Sequence, residues 1–166
     1  MGILMMNNLN ANQTMENPGV KIPPPIIYFA FFFAGIILGW IFPLPFFLSF
    51  LGRVIIGWPI ALASLAVVLL AMKEFRTAHT TIRPDRSVSS LITTGIFTRT
   101  RNPLYLSLLL LYCGVSIFLG VWWAIILVPL LVATMNSYVI GREERYLAER
   151  FGLSYRNYRA RVRRWI

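Results

Sequence analysis

The sequence predicts an all-α, polytopic membrane protein with about four transmembrane helices, followed by cytoplasmic C-terminal helices. Three observations predict it. The 166-residue chain is 57% hydrophobic but only 13% charged, against about 25% charged in a soluble globular domain. Four apolar blocks, over about 26–42, 54–72, 104–119 and 121–140, approach the roughly 20 residues that a helix needs to cross a hydrocarbon core. Basic residues gather in some of the intervening segments and avoid others.

Each block is assigned to helix because backbone groups in lipid must bond within their own segment. Pro23, Pro24 and Pro25 precede the first block and stop a helix from running backward into the tail; Pro43 and Pro45 close it. Gly120 separates the third and fourth blocks almost without a loop, which predicts a tight antiparallel hairpin. Trp122 and Trp123 follow that turn, where interfacial aromatics are expected. Orientation follows from the cations. Arg53 is the one Lys or Arg between the first two blocks, and the other 15 of 16 fall on the opposite side. The positive-inside rule makes that side cytoplasmic and puts both termini there. The net charge of +10 is accounted for by anionic headgroups rather than nucleic acid, because the cations flank apolar blocks.

Residues 1–21 are Asn-rich and polar, and read as a disordered tail; residues 22–166 read as a single membrane-embedded domain. The lone Cys113 lies in an apolar block and has no internal partner for a disulfide. No metal site is called for. The one histidine, His79, reads as a solvated loop residue.

Two cytoplasmic segments are more than connectors. The first, about 73–103, ends in Arg99-Thr100-Arg101-Asn102-Pro103-Leu104-Tyr105. Asn then Pro before an apolar run is a helix start, with Asn102 as N-cap and Pro103 at the first helical position. Such an end presents free N–H groups and the positive end of the helix dipole. With Arg101 beside it, it suits a carboxylate or a phosphate, although a plain cap with a basic flank satisfies the same residues. The second segment, 141–166, continues as helix to Phe151, with Gly152 as C-cap and Ser154 opening a short amphipathic helix. It carries Glu143 and Glu144, two of only six acidic residues. Helical spacing puts Glu144 on a stripe with Ile140, Leu147, Ala148 and Phe151, and Glu143 on a wetter face with Tyr146 and Arg150. An acid on a packed stripe needs a partner. Arg99 and Arg101 are the candidates, and a structural ion pair and a ligand-binding role stay equally open at this point.

The runs LITTGIFTRTRNPLYLS (Leu91 to Ser107) and REERYLAERFGLSYRNYRARVRRWI (Arg142 to Ile166), with the hairpin between them, resemble the isoprenylcysteine carboxyl methyltransferase and phospholipid methyltransferase group of membrane enzymes. The resemblance covers roughly residue 80 to the C-terminus, and that stretch is the expected cofactor region. It implies methyl transfer from S-adenosylmethionine in a membrane-embedded site. Carried over by motif, Arg101, Asn102, Pro103 and Tyr105 would line the cofactor site with Glu143 and Glu144, and Gly95 would sit at the turn entering it. Many members have His where this chain has Asn102, so a mechanism requiring an imidazole there does not operate.

The chemistry that the resemblance implies is an in-line displacement whose donor is already activated, so alignment is the main task. Arg101 and the third helix start would hold the methionine carboxylate, while Glu143 or Glu144 would meet the ammonium or ribose. Glu144 and Arg101 are the residues assigned to catalysis, Glu144 being the obvious candidate base for an amine acceptor. That scarcity of bases leans toward a carboxylate or thiol acceptor over a lipid amine. The acceptor, lipophilic or small, would enter from lipid; Asn136 either borders that path or makes an interhelical hydrogen bond. Membrane lipids are expected partners. The alternative class is a non-enzymatic membrane scaffold or transporter subunit with a lipid-binding basic C-terminus. The absence of an ionisable residue in the middle of any block counts against an ion path.

Overall fold

The computed structural model describes residues 18–45, 47–78 and 89–166. His79, Arg83, Arg86 and most of the polar N-terminal segment lie outside the described residues. The described chain is helical throughout, without strands. Helix α1 spans Pro24–Ile41, α2 Phe50–Thr77 and α3 Pro103–Leu119; a 3-10 turn at Gly95–Thr98 precedes α3. Beyond Gly120 come α4 (Trp122–Ile126), α5 (Val128–Thr134), a π-helical stretch over Met135–Ile140 and α6 (Gly141–Arg161).

Helices α1 and α2 are long and apolar enough to cross a membrane, and α3 is apolar but shorter, at 17 residues. Their outer faces are apolar and open: Trp40 is 86% exposed, Phe29 63% and Leu65 52%. A water-soluble monomer rarely exposes so continuous an apolar surface. At 28 residues, α2 runs about 42 Å, so it passes the predicted end at Met72. Its last turn carries Lys73, Glu74, Phe75 and Arg76 beyond the apolar stretch.

The block at 121–140 departs from the single helix expected. Pro129 supplies no N–H and its ring crowds the carbonyl four residues back, and the helix breaks around Leu127. The π-helical stretch then adds residues to the turn just before Gly141, which rotates everything after it relative to an uninterrupted α-helix.

Glycine sets how closely α2 and α3 approach. A Cβ at Gly57 would lie 2.8 Å from the Gly114 carbonyl oxygen, and one at Gly114 would lie 2.7 Å from the Ala61 nitrogen. Backbone contact of this kind gives dispersion energy that apolar side chains cannot supply between helices in lipid. The α3 turn closes at Gly120, which is left-handed (φ 73°). Tyr28 donates to the Tyr105 carbonyl (3.0 Å) and Tyr112 to the Ala124 carbonyl (2.8 Å), tying α1, α3 and α4 together. At the turn end Trp123 donates to the Phe42 carbonyl at 2.7 Å.

A second apolar cluster lies beyond the C-terminal end of α2 and the N-terminal end of α3. Ile92, Phe97, Tyr155 and Tyr158 are buried there against Phe75, Leu147 and Phe151. Gly152 (φ 53°, ψ −124°) bends α6 so that its two parts, 141–151 and 153–161, both contribute; the sequence placed that break correctly. Residues 18–22 pack as well. Val20 is 8% exposed in the main core, the Gly19 carbonyl accepts from Arg142 at 2.9 Å, and the Ile22 N–H bonds the Tyr138 hydroxyl.

Candidate functional site

A cleft of about 130 Å³ lies where the two clusters meet, with Arg101, Asn102, Tyr105, Glu143, Glu144 and Tyr155 on its walls. The start of α3, the first turns of α6 and the second half of α6 folded back at Gly152 supply its polar groups, and Phe75 of α2, the 90–97 segment and Pro18 complete its walls.

Pro103 opens α3, as its fixed φ favours. Asn102 occupies the N-cap position but its side chain does not cap. Instead its Nδ2 donates to the Arg164 carbonyl at 3.0 Å. The first intrahelical acceptor is the Asn102 carbonyl, bonded by Leu106 N–H, so the N–H groups of Leu104 and Tyr105 point out of the helix end as helix geometry requires.

The two acids differ sharply. Glu144 is 7% exposed. It forms an ion pair with Arg101 (3.2 Å) and accepts both prongs of Arg164, from Nε at 2.9 Å and Nη2 at 2.7 Å. The sequence expectation of a partner is met by Arg101 and by Arg164; Arg99 is not bonded to it. Glu143 accepts a 2.5 Å hydrogen bond from the Tyr105 hydroxyl. Burial pushes its carboxyl up to about 7, with the Tyr105 hydrogen bond working against that rise and the neighbouring Glu144 charge adding to it. The Glu143 carboxyl is thus raised toward neutrality by its burial, and Glu144 meets two guanidinium groups.

Arg101 donates from Nη1 to the Tyr155 hydroxyl at 3.4 Å. Its Nε is buried with no partner. Buried donors are normally bonded, so this one is a position at which an anionic group would be welcome. Gly95 is not brought to the cleft. It forms the left-handed (φ 54°) turn into the 3-10 helix, where a Cβ would collide with the Glu74 carboxylate. Thr94 donates to that carboxylate at 2.5 Å, so Gly95 serves the wall rather than the lining. Asn136 accepts from Trp165 Nε1 (3.1 Å) and Arg164 Nη1 (3.4 Å), both in the non-helical segment after α6, so its partners are not on another helix. Sequence reasoning missed Arg164, Trp165 and Tyr155. Arg164 is one of eight arginines after the fourth block, and nothing local distinguishes it from the others.

Helices with apolar outer faces, joined to a largely apolar cleft that carries two acids and an arginine, define a helical membrane-associated protein. A family model described as phospholipid methyltransferase matches residues 52–154, well over half of the chain, and the chain belongs to that family. Its class of activity is accordingly methyl transfer. Over 63 residues, 38% of this chain and the whole of the other protein, it is 41% identical to an uncharacterized protein of Haemophilus influenzae. No solved structure matches it.

Proposed function

We propose that this protein transfers a methyl group from S-adenosylmethionine to a lipophilic or small acceptor, at the cytoplasmic face of a four-span bundle whose termini are both cytoplasmic. The observation that carries the reading is the convergence of Glu143, Glu144, Arg101 and the first turn of α3 on one cleft. The four spans are α1, α2, α3 and the broken helix over 122–140; Arg53, alone at the far end among the cations, supports the orientation.

The residues fit the cofactor by their chemistry. The unpartnered Arg101 Nε, together with the first-turn N–H groups of α3 that lack an intrahelical acceptor, suits a carboxylate. The carboxylate of Glu143 suits an ammonium or a ribose hydroxyl. When bound, S-adenosylmethionine supplies a methyl group already activated on a sulfonium. The protein's part is then to hold the charged ends and exclude water. Glu144, held between Arg101 and Arg164, keeps both segments in register. A base role for Glu144 is disfavoured because both its oxygens are engaged. Glu143 takes that role for an acceptor that must lose a proton, such as a lipid amine or a thiol, since its proton affinity lies near working pH. A carboxylate acceptor needs no base.

The test is incubation of detergent-purified protein with S-adenosylmethionine and a mixed pool of lipids, thiols and isoprenoid acids, followed by mass spectrometry. A product heavier by one methylene is expected, and Arg101→Ala should abolish it. Absence of any such product together with absence of S-adenosylmethionine binding by calorimetry would sink the proposal.

A further inference from the structure

The chain does not end on α6. Val162 is extended (φ −119°, ψ 132°), and residues 162–166 turn back across the start of α3. The Arg163 carbonyl accepts from the Arg101 N–H at 3.0 Å. The Arg164 carbonyl accepts from Thr100 Oγ1 (3.1 Å) and Asn102 Nδ2 (3.0 Å). Residues 99–102 belong to no helix, so these bonds hold the approach to α3 in place. The Arg164 side chain then forks onto Glu144 and reaches Asn136, while Trp165 bonds Asn136 as well. Two adjacent residues thus connect the α3 entrance, the π-helical stretch and the first turn of α6.

We infer that this C-terminal strap is part of the working site and that Arg164 is its positioning residue. It fixes Glu144 and the 99–102 segment against each other, with Glu143 and Arg101 on the cleft wall. This rests on the reading of that cleft as an S-adenosylmethionine site. The physical reason is the planar fork of arginine. It pairs a carboxylate through two parallel bonds and so fixes orientation as well as distance, which a lysine point charge does not do. The contrast with neighbouring arginines is sharp: Arg145 and Arg161 bond carbonyls one turn back in their own helix. The strap lies beyond residue 154, where the family match ends.

The experiment uses the full chain in detergent, as Arg164→Ala, Arg164→Lys, Glu144→Gln and the double variant Arg164→Ala/Glu144→Gln. We expect Arg164→Ala to weaken S-adenosylmethionine binding by about ten- to a hundredfold through misplacement of the cleft groups. Lysine should recover only part of the loss. The double variant should bind no worse than Glu144→Gln alone, because the strap acts through that carboxylate. Amide exchange across 99–106 should become at least about tenfold faster in Arg164→Ala, while the middle of α3 keeps the protection of the parent. Parent-like binding by Arg164→Ala, or losses that add in full in the double variant, would overturn the inference. Failure of the parent itself to bind S-adenosylmethionine would refute the cofactor reading; exchange at 99–106 still decides the strap, and unchanged exchange there overturns it. If Arg164→Ala does not fold, Arg164→Lys carries both readouts.

Discussion

Tyr105→Phe isolates one hydrogen bond in the cleft. The phenol donates to the Glu143 carboxylate at 2.5 Å, and the substitution removes that oxygen while keeping the ring that packs in α3. A bond donated to a carboxylate stabilises its charged form, so its loss raises the pH at which Glu143 ionises. Hydrogen bonds to charged groups are worth about 1.5–3 kcal/mol, and each pH unit corresponds to about 1.4 kcal/mol. The midpoint should therefore move up by about one to two pH units from the parent value of about 7. At neutral pH the variant carries a mostly protonated Glu143 and binds S-adenosylmethionine more weakly. Near pH 5.5 the two proteins converge, since Glu143 is protonated in both. The assay is calorimetric titration of S-adenosylmethionine between pH 5.5 and 9 in detergent; the ligand's own titration is common to both proteins and cancels in the difference. A midpoint that stays put, or moves to lower pH, refutes the assignment of Glu143 as the titrating acid held by Tyr105.

Glu143 also sets a pH dependence of stability. Its folded value is raised from 4.5 to about 7, so its contribution is fully present below about pH 4.5 and is lost as pH rises through about 7. The loss is at most about 3.4 kcal/mol, and thermal unfolding of Glu143→Gln should lack this decline when compared with the parent across that window. Gly114→Ala places a Cβ 2.7 Å from the Ala61 nitrogen and should cost about 1–3 kcal/mol by overpacking the α2–α3 contact, read as a lower melting temperature in detergent. Gly152→Ala meets nothing within 4 Å, so its cost is backbone strain alone at φ 53°. About 1–3 kcal/mol is expected, with accelerated proteolysis at the bend between the two parts of α6.

The helical class, the ends of α1 and α3 and the break at Gly152 were legible because each rests on local chemistry. Apolar runs, proline and glycine act on their own segment whatever surrounds them. The candidate site was legible in part for the same reason. Glu144 on an apolar stripe announces a need for a partner, and Asn102-Pro103 announces a helix start. The segmentation of 121–140 was also within reach, since Pro129 stands in the sequence; the length of the apolar run concealed it.

Identity of partners was not legible. Asn102 looked like a capping side chain, yet the cap competes with a carbonyl 62 residues away, and the tertiary contact prevails. Glu144 needed a guanidinium, and every arginine flanking the apolar blocks offered the same charge. Only the reversal of the chain after Val162 brings Arg164 within 2.7 Å. Gly57 and Gly114 read as ordinary weak points in helices until the two backbones meet across them. The sequence by itself determined which segments are helical and where charge accumulates, because those depend on each residue's own solvation and backbone freedom; the face of Glu143 and Tyr146, read as the wetter one, is instead packed. The tertiary structure alone decided which of several equivalent charges meet, and which acid faces guanidinium groups and which a phenol, because that depends on distances set by chain closure over tens of residues.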